Sequence, residues 1–177
     1  MKKPKNNKGK VLWITGLPGS GKTTIAKKIK KPFEKLYGKT LIYSGDDIRK
    51  IFALNHYNYE KRILIAKMYS NFMQNLSNQN INVIIATVAL FKKIHNLNRK
   101  KILNYCEVFI KVSSKIIIKN NKKKLYNRLN KDLVGIDIVP EFPKKPHIII
   151  KNDFKTNLDN LSKNLLIKIE KFYKNFD

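Results

Sequence analysis

A glycine-rich stretch near the N-terminus has the residue types and spacing of a phosphate-binding loop. Residues 16–23, GLPGSGKT, match the pattern G-x-x-x-x-G-K-[ST] at every required position, between an apolar run and a helical pattern. In such a loop, backbone N–H groups and the ammonium group of Lys22 surround the phosphates, and the Thr23 hydroxyl is the expected Mg²⁺ ligand. The predicted ATP-binding residues are Gly16, Leu17, Pro18, Gly19, Ser20, Gly21, Lys22, Thr23 and Thr24.

A second group of chemically useful residues lies in 43-YSGDDIRKIF-52, directly after the next predicted strand. Asp46 can accept the proton of an acceptor hydroxyl group, or hold Mg²⁺ through a water molecule. Arg49 follows one helical turn later, so it can bind an anionic substrate in the same pocket. The structural alternative is that Asp46 only caps the helix that follows.

Three absences narrow the class of nucleotide-binding protein. The chain has no N-K-x-D motif, which disfavours a GTPase, and the predicted strand 81–87 ends in Ala86-Thr87 without the aspartate of a motor-type second motif. A chain of 177 residues also leaves no room for an additional mechanical domain. The combination favours a small-molecule kinase.

Strand and helix patterns alternate along the chain. The predicted strands are 10–15, 39–43, 81–87, 106–112 and 147–151. The predicted helices are 22–36, 46–54, 58–78, 90–103 and 157–175. This alternation predicts an α/β fold, with a parallel sheet of about five strands and helices on both faces. We expect a single domain over residues 1–177, with a flexible basic tail at 1–9 and a mobile lid at 119–135.

The composition is strongly basic, with 38 Lys and Arg against 12 Asp and Glu and a formal charge of +26. Nearly all of the basic residues are lysines, and arginine occurs only at Arg49, Arg62, Arg99 and Arg128. Because phosphate-reading surfaces more often use arginine, this disfavours specific nucleic-acid binding and favours attraction of small anionic nucleotides. An ATP-dependent nucleic-acid-binding protein stays open as the alternative of another class.

Other features of the sequence predict where the protein acts. The longest apolar stretch, 81-INVIIATVALF-91, is too short to span a membrane, and no secretory signal pattern follows the N-terminal charges. The single cysteine, Cys106, lies in an apolar run and is expected to be a buried, unreactive thiol. We therefore expect a cytoplasmic protein with no membrane partner.

The motifs in order resemble the adenylyl-sulfate (APS) kinase family. The resemblance rests on 16-GLPGSGKTT-24, 45-GDDIR-49, 122-KKKLY-126 and 135-GIDIVPEFPKKPHIIIKND-153, and extends from about residue 10 to 155. Members of that family transfer the γ-phosphoryl group of ATP to the ribose 3′-hydroxyl of a nucleotide joined to an oxyanion. The resemblance implies a P-loop kinase fold, Mg²⁺ and ATP, catalytic roles for Asp46 and Lys22, and a homodimer, since members are often dimers.

The resemblance also implies a set of substrate-binding residues. These are Arg49, Tyr57, Arg62, Val88, Ala89, Lys123, Leu133, Gly135 and Ile136. Arg49 and Arg62 would bind the phosphate linkage of the acceptor. Tyr57 and Leu133 would cover the two sides of its base, and Lys123 matches the lysine of the family's lid.

The chain departs from the family pattern at Ser44, Ile65, Ala89, Asn120, Asn121 and Lys124. These positions surround the acceptor nucleotide and the lid, whereas the ATP loop is intact. The stretches 79–112 and 134–143 resemble a branch of kinases encoded with bacterial capsule genes. One activity in that branch phosphorylates cytidine diphosphoramidate on its ribose 3′-hydroxyl during capsule biosynthesis. The resemblance therefore implies cytidine diphosphoramidate as the preferred acceptor, with adenylyl sulfate as the alternative.

Overall fold

The computed structural model describes residues 8–120 and 132–174, which form a five-stranded sheet flanked by helices. The strands are β1 (Val11–Thr15), β2 (Thr40–Ser44), β3 (Asn82–Thr87), β4 (Tyr105–Lys111) and β5 (Ile148–Lys151). Their spatial order is β2-β3-β1-β4-β5, and every neighbouring pair is parallel. The central strand β1 is paired on both edges and covered on both faces, which explains why all of its residues are apolar or buried.

Helices cover both faces of the sheet. They are α1 (Lys22–Tyr37), α2 (Gly45–Ile51), α3 (Tyr59–Asn78), α4 (Lys92–Lys101), α5 (Ser114–Lys119) and α6 (Leu158–Lys174). Side chains alternate along β1, so Leu12 and Ile14 pack against α1 and α6, whereas Val11 and Trp13 pack against α3 and α4. The predicted α/β fold, with about five parallel strands and helices on both faces, is confirmed.

The structure differs from the sequence analysis at two places: the end of the predicted tail forms hydrogen bonds, and a helix outside the predicted set follows β4. Lys8 and Gly9 do not belong to a free tail, because the Gly9 N–H donates to the Ser77 carbonyl at 2.8 Å and the Ser77 hydroxyl donates to the Gly9 carbonyl at 2.6 Å. The Lys/Asn-rich segment after β4 begins with the short helix α5, which is capped by Ser113. The predicted lid falls mostly on residues 121–131, which lie outside the described residues.

The burial of the single cysteine agrees with the sequence analysis. Cys106 is fully buried, and burial raises the pKa of its thiol far above the usual value, which is consistent with an unreactive side chain. Tyr173 of α6 is also buried in the core. Across residues 8–120 and 132–174, no helix combines the length and the apolar character needed to cross a membrane.

Candidate active site

The phosphate-binding loop, residues 16–23, joins the end of β1 to the start of α1. Gly19 and Gly21 have φ angles of 76° and 90°, a region that side-chain-bearing residues rarely adopt. At Gly21, the N-cap of α1, a Cβ atom would also lie 2.8 Å from Nδ2 of Asn152. Glycine is thus required at Gly21 both by backbone conformation and by close approach of a neighbour.

Lys22 is held inside the loop that precedes it. Its ammonium group donates to the carbonyl of Leu17 at 2.7 Å and lies 3.5 Å from the Ser20 hydroxyl. The side chain is buried, and its positive charge lies near the N-terminal end of α1, where the helix dipole is also positive. This arrangement favours binding of phosphate groups.

The segment after β5 lies against the same loop. Asn152 donates from Nδ2 to the Ser20 carbonyl at 3.0 Å, and its Oδ1 accepts from the backbone N–H of Phe154 at 3.1 Å. Both Asn152 and Phe154 line the cavity described next. The carboxyl end of β5 is therefore part of the nucleotide site.

A cavity of about 1000 Å³ opens at the carboxyl ends of the strands, where ligands bind in open α/β sheets. The predicted site residues that line it are Pro18, Gly19, Gly21, Lys22, Thr23, Thr24, Asp46, Arg49, Tyr57, Arg62, Val88, Ala89 and Leu133. The predicted residues that do not line it are Gly16, Leu17, Ser20, Gly135 and Ile136. Lys123 lies outside the described residues.

Two of these exceptions, Gly135 and Ile136, lie at or directly after the end of the predicted lid. Gly135 packs against the phosphate-binding loop instead, and a Cβ atom there would lie 2.9 Å from Cδ2 of Leu17. Ile136 is 57% exposed and does not line the cavity. A role of either residue in substrate binding stays a prediction.

Ser44 and Asp47, not Asp46, cap the N-terminus of α2. The Ser44 hydroxyl accepts from the backbone N–H of Asp47 at 3.1 Å, and the Asp47 carboxylate accepts from the backbone N–H of Ser44 at 2.8 Å. The hydrogen bonds from the Ser44 side chain and backbone lower the pKa of Asp47. The Asp46 carboxylate forms no hydrogen bond to another described residue, so the capping alternative does not account for it.

Arg49 and Arg62 converge on the ring of Tyr57. Their guanidinium carbons lie 4.5 Å and 5.2 Å from the ring centroid. Arg49 donates to the carbonyls of Leu54 and His56, both at 2.9 Å, whereas Arg62 donates to the carbonyl of Tyr57. These backbone contacts fix both guanidinium groups at the edge of the cavity.

The electrostatics at this edge favour an anion. Burial, together with the nearby charge of Arg49, lowers the pKa of Arg62. Within the described part of the chain, no carboxylate forms an ion pair with either arginine. An anionic group bound here would relieve the repulsion between the two guanidinium groups.

One wall of the cavity, formed in part by the helix that also carries Arg62, is largely apolar. It consists of Ile65, Ala66, Tyr69, Val88, Ala89, Phe91, Leu133 and Val134. Ile65 and Ala89, two departures from the family pattern, are almost fully buried and line the cavity directly. Their aliphatic side chains cannot form hydrogen bonds with a bound nucleotide.

Several cavity residues were not identified by the sequence analysis. They are Tyr69, Thr87, Phe91, Asn152 and Phe154. The rule that ligands bind beyond the carboxyl ends of parallel strands could have identified Thr87 and Asn152. The helical spacing of Tyr69 is the spacing of a core residue, so nothing in the sequence pattern separates it from its buried neighbours.

The family described as adenylylsulphate kinase matches residues 8–151 of the chain. The cytidine diphosphoramidate kinase of Campylobacter jejuni subsp. jejuni serotype O:2 is 36% identical over 156 residues, which cover 84% of this chain and 89% of that protein. A probable adenylyl-sulfate kinase of Archaeoglobus fulgidus is 28% identical over 148 residues, which cover 81% of this chain and 96% of that protein.

Solved structures give the same picture of the fold. The APS kinase of Mycobacterium tuberculosis, in complex with AMPPNP and APS, superposes with a TM-score of 0.82 over 92% of this chain and 98% of that chain, at 22% identity. The intact phosphate-binding loop, the sheet order and the match over most of the length agree with one another. The chain belongs to the adenylylsulphate kinase family and is a kinase with ATP as its phosphoryl donor.

Proposed function

We propose that this protein transfers the γ-phosphoryl group of ATP to the ribose 3′-hydroxyl of a nucleotide linked to an oxyanion, with cytidine diphosphoramidate as the preferred acceptor. The observation that carries the proposal is one cavity shared by three features. These are the phosphate-binding loop, the Asp46 carboxylate, and the arginine pair Arg49 and Arg62. A donor phosphate, a proton acceptor and an anion site are what such a transfer requires.

The roles follow from the geometry. Lys22 and the loop N–H groups hold the transferring phosphoryl group and stabilise its charge. Asp46 takes or orients the proton of the acceptor hydroxyl, because its carboxylate is not committed to capping α2. Arg49 and Arg62 bind the anionic linkage of the acceptor.

The Thr23 hydroxyl group is suitable as a ligand for Mg²⁺. It lines the cavity and forms no hydrogen bond to another described residue. In P-loop kinases Mg²⁺ is usually held by one or two protein oxygens together with substrate phosphates and water. When bound, Mg²⁺ would neutralise charge on the β and γ phosphates, and Asp46 is the candidate for a second contact through water.

The choice of acceptor rests on the apolar wall and on similarity. The C. jejuni relative, whose name states the cytidine compound, is 36% identical, against 28% for the A. fulgidus relative. The aliphatic side chains of Ile65 and Ala89 are compatible with a smaller pyrimidine base. Adenylyl sulfate is the second candidate, because the matching family is described by that activity. A homodimer and a cytoplasmic location stay predictions from the sequence.

The test is phosphoryl transfer from MgATP to each acceptor, measured side by side as kcat/KM. A hundredfold preference for cytidine diphosphoramidate, about 2.7 kcal/mol in transition-state stabilisation, would support the proposal. A preference for adenylyl sulfate would replace the acceptor, and no transfer to either would reject the proposed reaction. Lys22→Ala serves as the inactive control with both acceptors.

A double variant tests whether the apolar wall contributes to the choice of acceptor. Introducing polar side chains with Ile65→Asn and Ala89→Ser should shift the ratio of kcat/KM values toward adenylyl sulfate. Leu103→Asn is the matched control, because Leu103 is 64% exposed and does not line the cavity. An unchanged ratio in the double variant would separate these two positions from base selection.

A further inference from the structure

Tyr69 connects α3 to the start of α2, directly beside Asp46. Its hydroxyl group donates to the carbonyl of Gly45 at 3.0 Å, across 24 positions of sequence. Tyr69 is almost fully buried, yet its side chain borders the cavity. The accepting residue is the first residue of α2 and immediately precedes Asp46.

Gly45 is confined on a second side by β3. A Cβ atom at Gly45 would lie 3.1 Å from Oγ1 of Thr87, which is tighter than an ordinary contact. The reciprocal hydrogen bonds of Ser44 and Asp47 set the conformation of the first turn of α2 but come from that turn alone. Contacts from α3 and β3 are what place this turn relative to the rest of the cavity.

The Tyr69 hydroxyl remains a hydrogen-bond donor over the working pH range. Burial raises its pKa to about 12; the charge of Asp46 also raises it, and the charges of Arg49 and Arg62 oppose the shift. The phenol is therefore protonated at neutral pH and can donate to the Gly45 carbonyl.

We propose that Tyr69 is a positioning residue for Asp46, acting through the Gly45 carbonyl to hold the carboxylate at the acceptor hydroxyl. This inference rests on the proposed catalytic role of Asp46. Small displacements of a catalytic group can cost large factors in rate, so one hydrogen bond that fixes the helix start is enough to matter. Tyr69 itself is not assigned a contact with substrate.

The first test compares two Tyr→Phe variants. Tyr69→Phe keeps the buried ring and removes only the hydroxyl group, and we expect kcat to fall about tenfold while KM for ATP changes less than twofold. Tyr173→Phe is the matched control, because its hydroxyl also donates to a backbone carbonyl, that of Asn104 at 3.3 Å, from a buried site in α6. Unchanged kcat in Tyr69→Phe, or an equal loss in Tyr173→Phe, would overturn the proposal.

A double-mutant cycle separates positioning from general damage. If Tyr69 acts through Asp46, adding Tyr69→Phe to Asp46→Asn should cause no further loss of kcat. If the two losses multiply, Tyr69 acts on the substrate or on the fold independently, and the proposal is wrong. Both variants are measured with whichever acceptor the wild-type protein phosphorylates.

Hydrogen exchange provides a readout that needs no acceptor. We expect amides of residues 45–51 to exchange about tenfold faster in Tyr69→Phe than in the wild type, and no change there in Tyr173→Phe. Equal exchange in Tyr69→Phe and wild type would overturn the positioning role even if activity falls. If the wild type phosphorylates neither acceptor, the proposed reaction fails, and this exchange result alone decides whether Tyr69 holds the helix that carries Asp46.

Discussion

At the scale of residues, the site depends on which side chains are already engaged by their neighbours. Asp46 and Asp47 are adjacent and chemically identical, but Asp47 accepts hydrogen bonds from the Ser44 backbone N–H and hydroxyl, at 2.8 and 2.7 Å. Asp46 is left facing the cavity. The departure at Ser44 also acquires a role here, because its hydroxyl is the N-cap of α2.

Replacing Asp46 tests this division of roles. Asp46→Asn should lower kcat by about 10²–10⁴-fold, because the amide cannot accept the hydroxyl proton, while ATP affinity should change little. Steady-state kinetics and a separate ATP-binding titration measure the two effects. Asp159→Asn, in an exposed ion pair with Lys28, is the control and should keep normal turnover. Normal turnover by Asp46→Asn would remove Asp46 from the catalytic role.

At the scale of elements, the buried residue Glu107 links β4 to α4 through its carboxylate and to the segment before β5 through its backbone N–H. Glu107 is fully buried; it accepts from His95 Nδ1 at 2.7 Å and from Arg99, while its backbone N–H donates to His147 Nδ1 at 2.9 Å. Tyr105 also donates to it, at 3.2 Å. Burial raises the pKa of Glu107, but the hydrogen bonds and charges of His95 and Arg99 outweigh that effect and lower it overall.

Glu107→Gln should destabilise the fold by about 3 kcal/mol at pH 7, because it leaves Arg99 and His95 without their buried anion. Since the folded-state pKa of Glu107 is lowered, its stabilising contribution is complete at neutral pH and is lost as pH falls through that pKa. The difference between variant and wild type should therefore shrink in acid. Urea unfolding in a series from pH 7 down to about pH 2 checks this, with the partly exposed Glu170→Gln as control. A difference between variant and wild type that stays constant over the whole series would contradict the ionised state.

At the scale of the whole molecule, the charge of +26 acts on everything anionic that approaches the cavity. Both proposed substrates are small anions, and the arginine pair Arg49 and Arg62 lies at the edge of that cavity. An excess of positive charge attracts such ligands over long range.

We therefore expect KM for the acceptor to rise several-fold between about 0.05 and 0.3 M salt, with kcat nearly constant. Salt screens the long-range attraction between the protein and the free acceptor, but it hardly weakens the direct contacts of the bound acceptor. RNA and DNA should leave ATP turnover unchanged. Kinetics across a salt series, with and without nucleic acid, measure both effects. Stimulation of ATP turnover by nucleic acid, with steep salt dependence of binding, would favour the nucleic-acid-binding alternative.

Much of the fold can be predicted from short stretches of contiguous residues. The phosphate-binding loop, the alternation of strands and helices and hence the parallel sheet are determined by local spacing and conformational preference, so the sequence alone predicts them. Element ends shift by a residue or a few, and α2 ends at Ile51 where the pattern extends to residue 54. These ends depend on capping contacts that periodicity does not contain.

Other features were decided only by the tertiary structure. Which of two adjacent aspartates is left facing the cavity, that Asn152 meets a loop 132 positions away, and that Tyr69 reaches Gly45 all depend on contacts between distant segments. The sequence spacing of Tyr69 is the same as that of any buried helical residue. The net charge of +26 gives no information on the position of a cavity. Hydrophobic periodicity determines which face of an element is buried, but only the packing of the elements determines what each buried polar atom meets there.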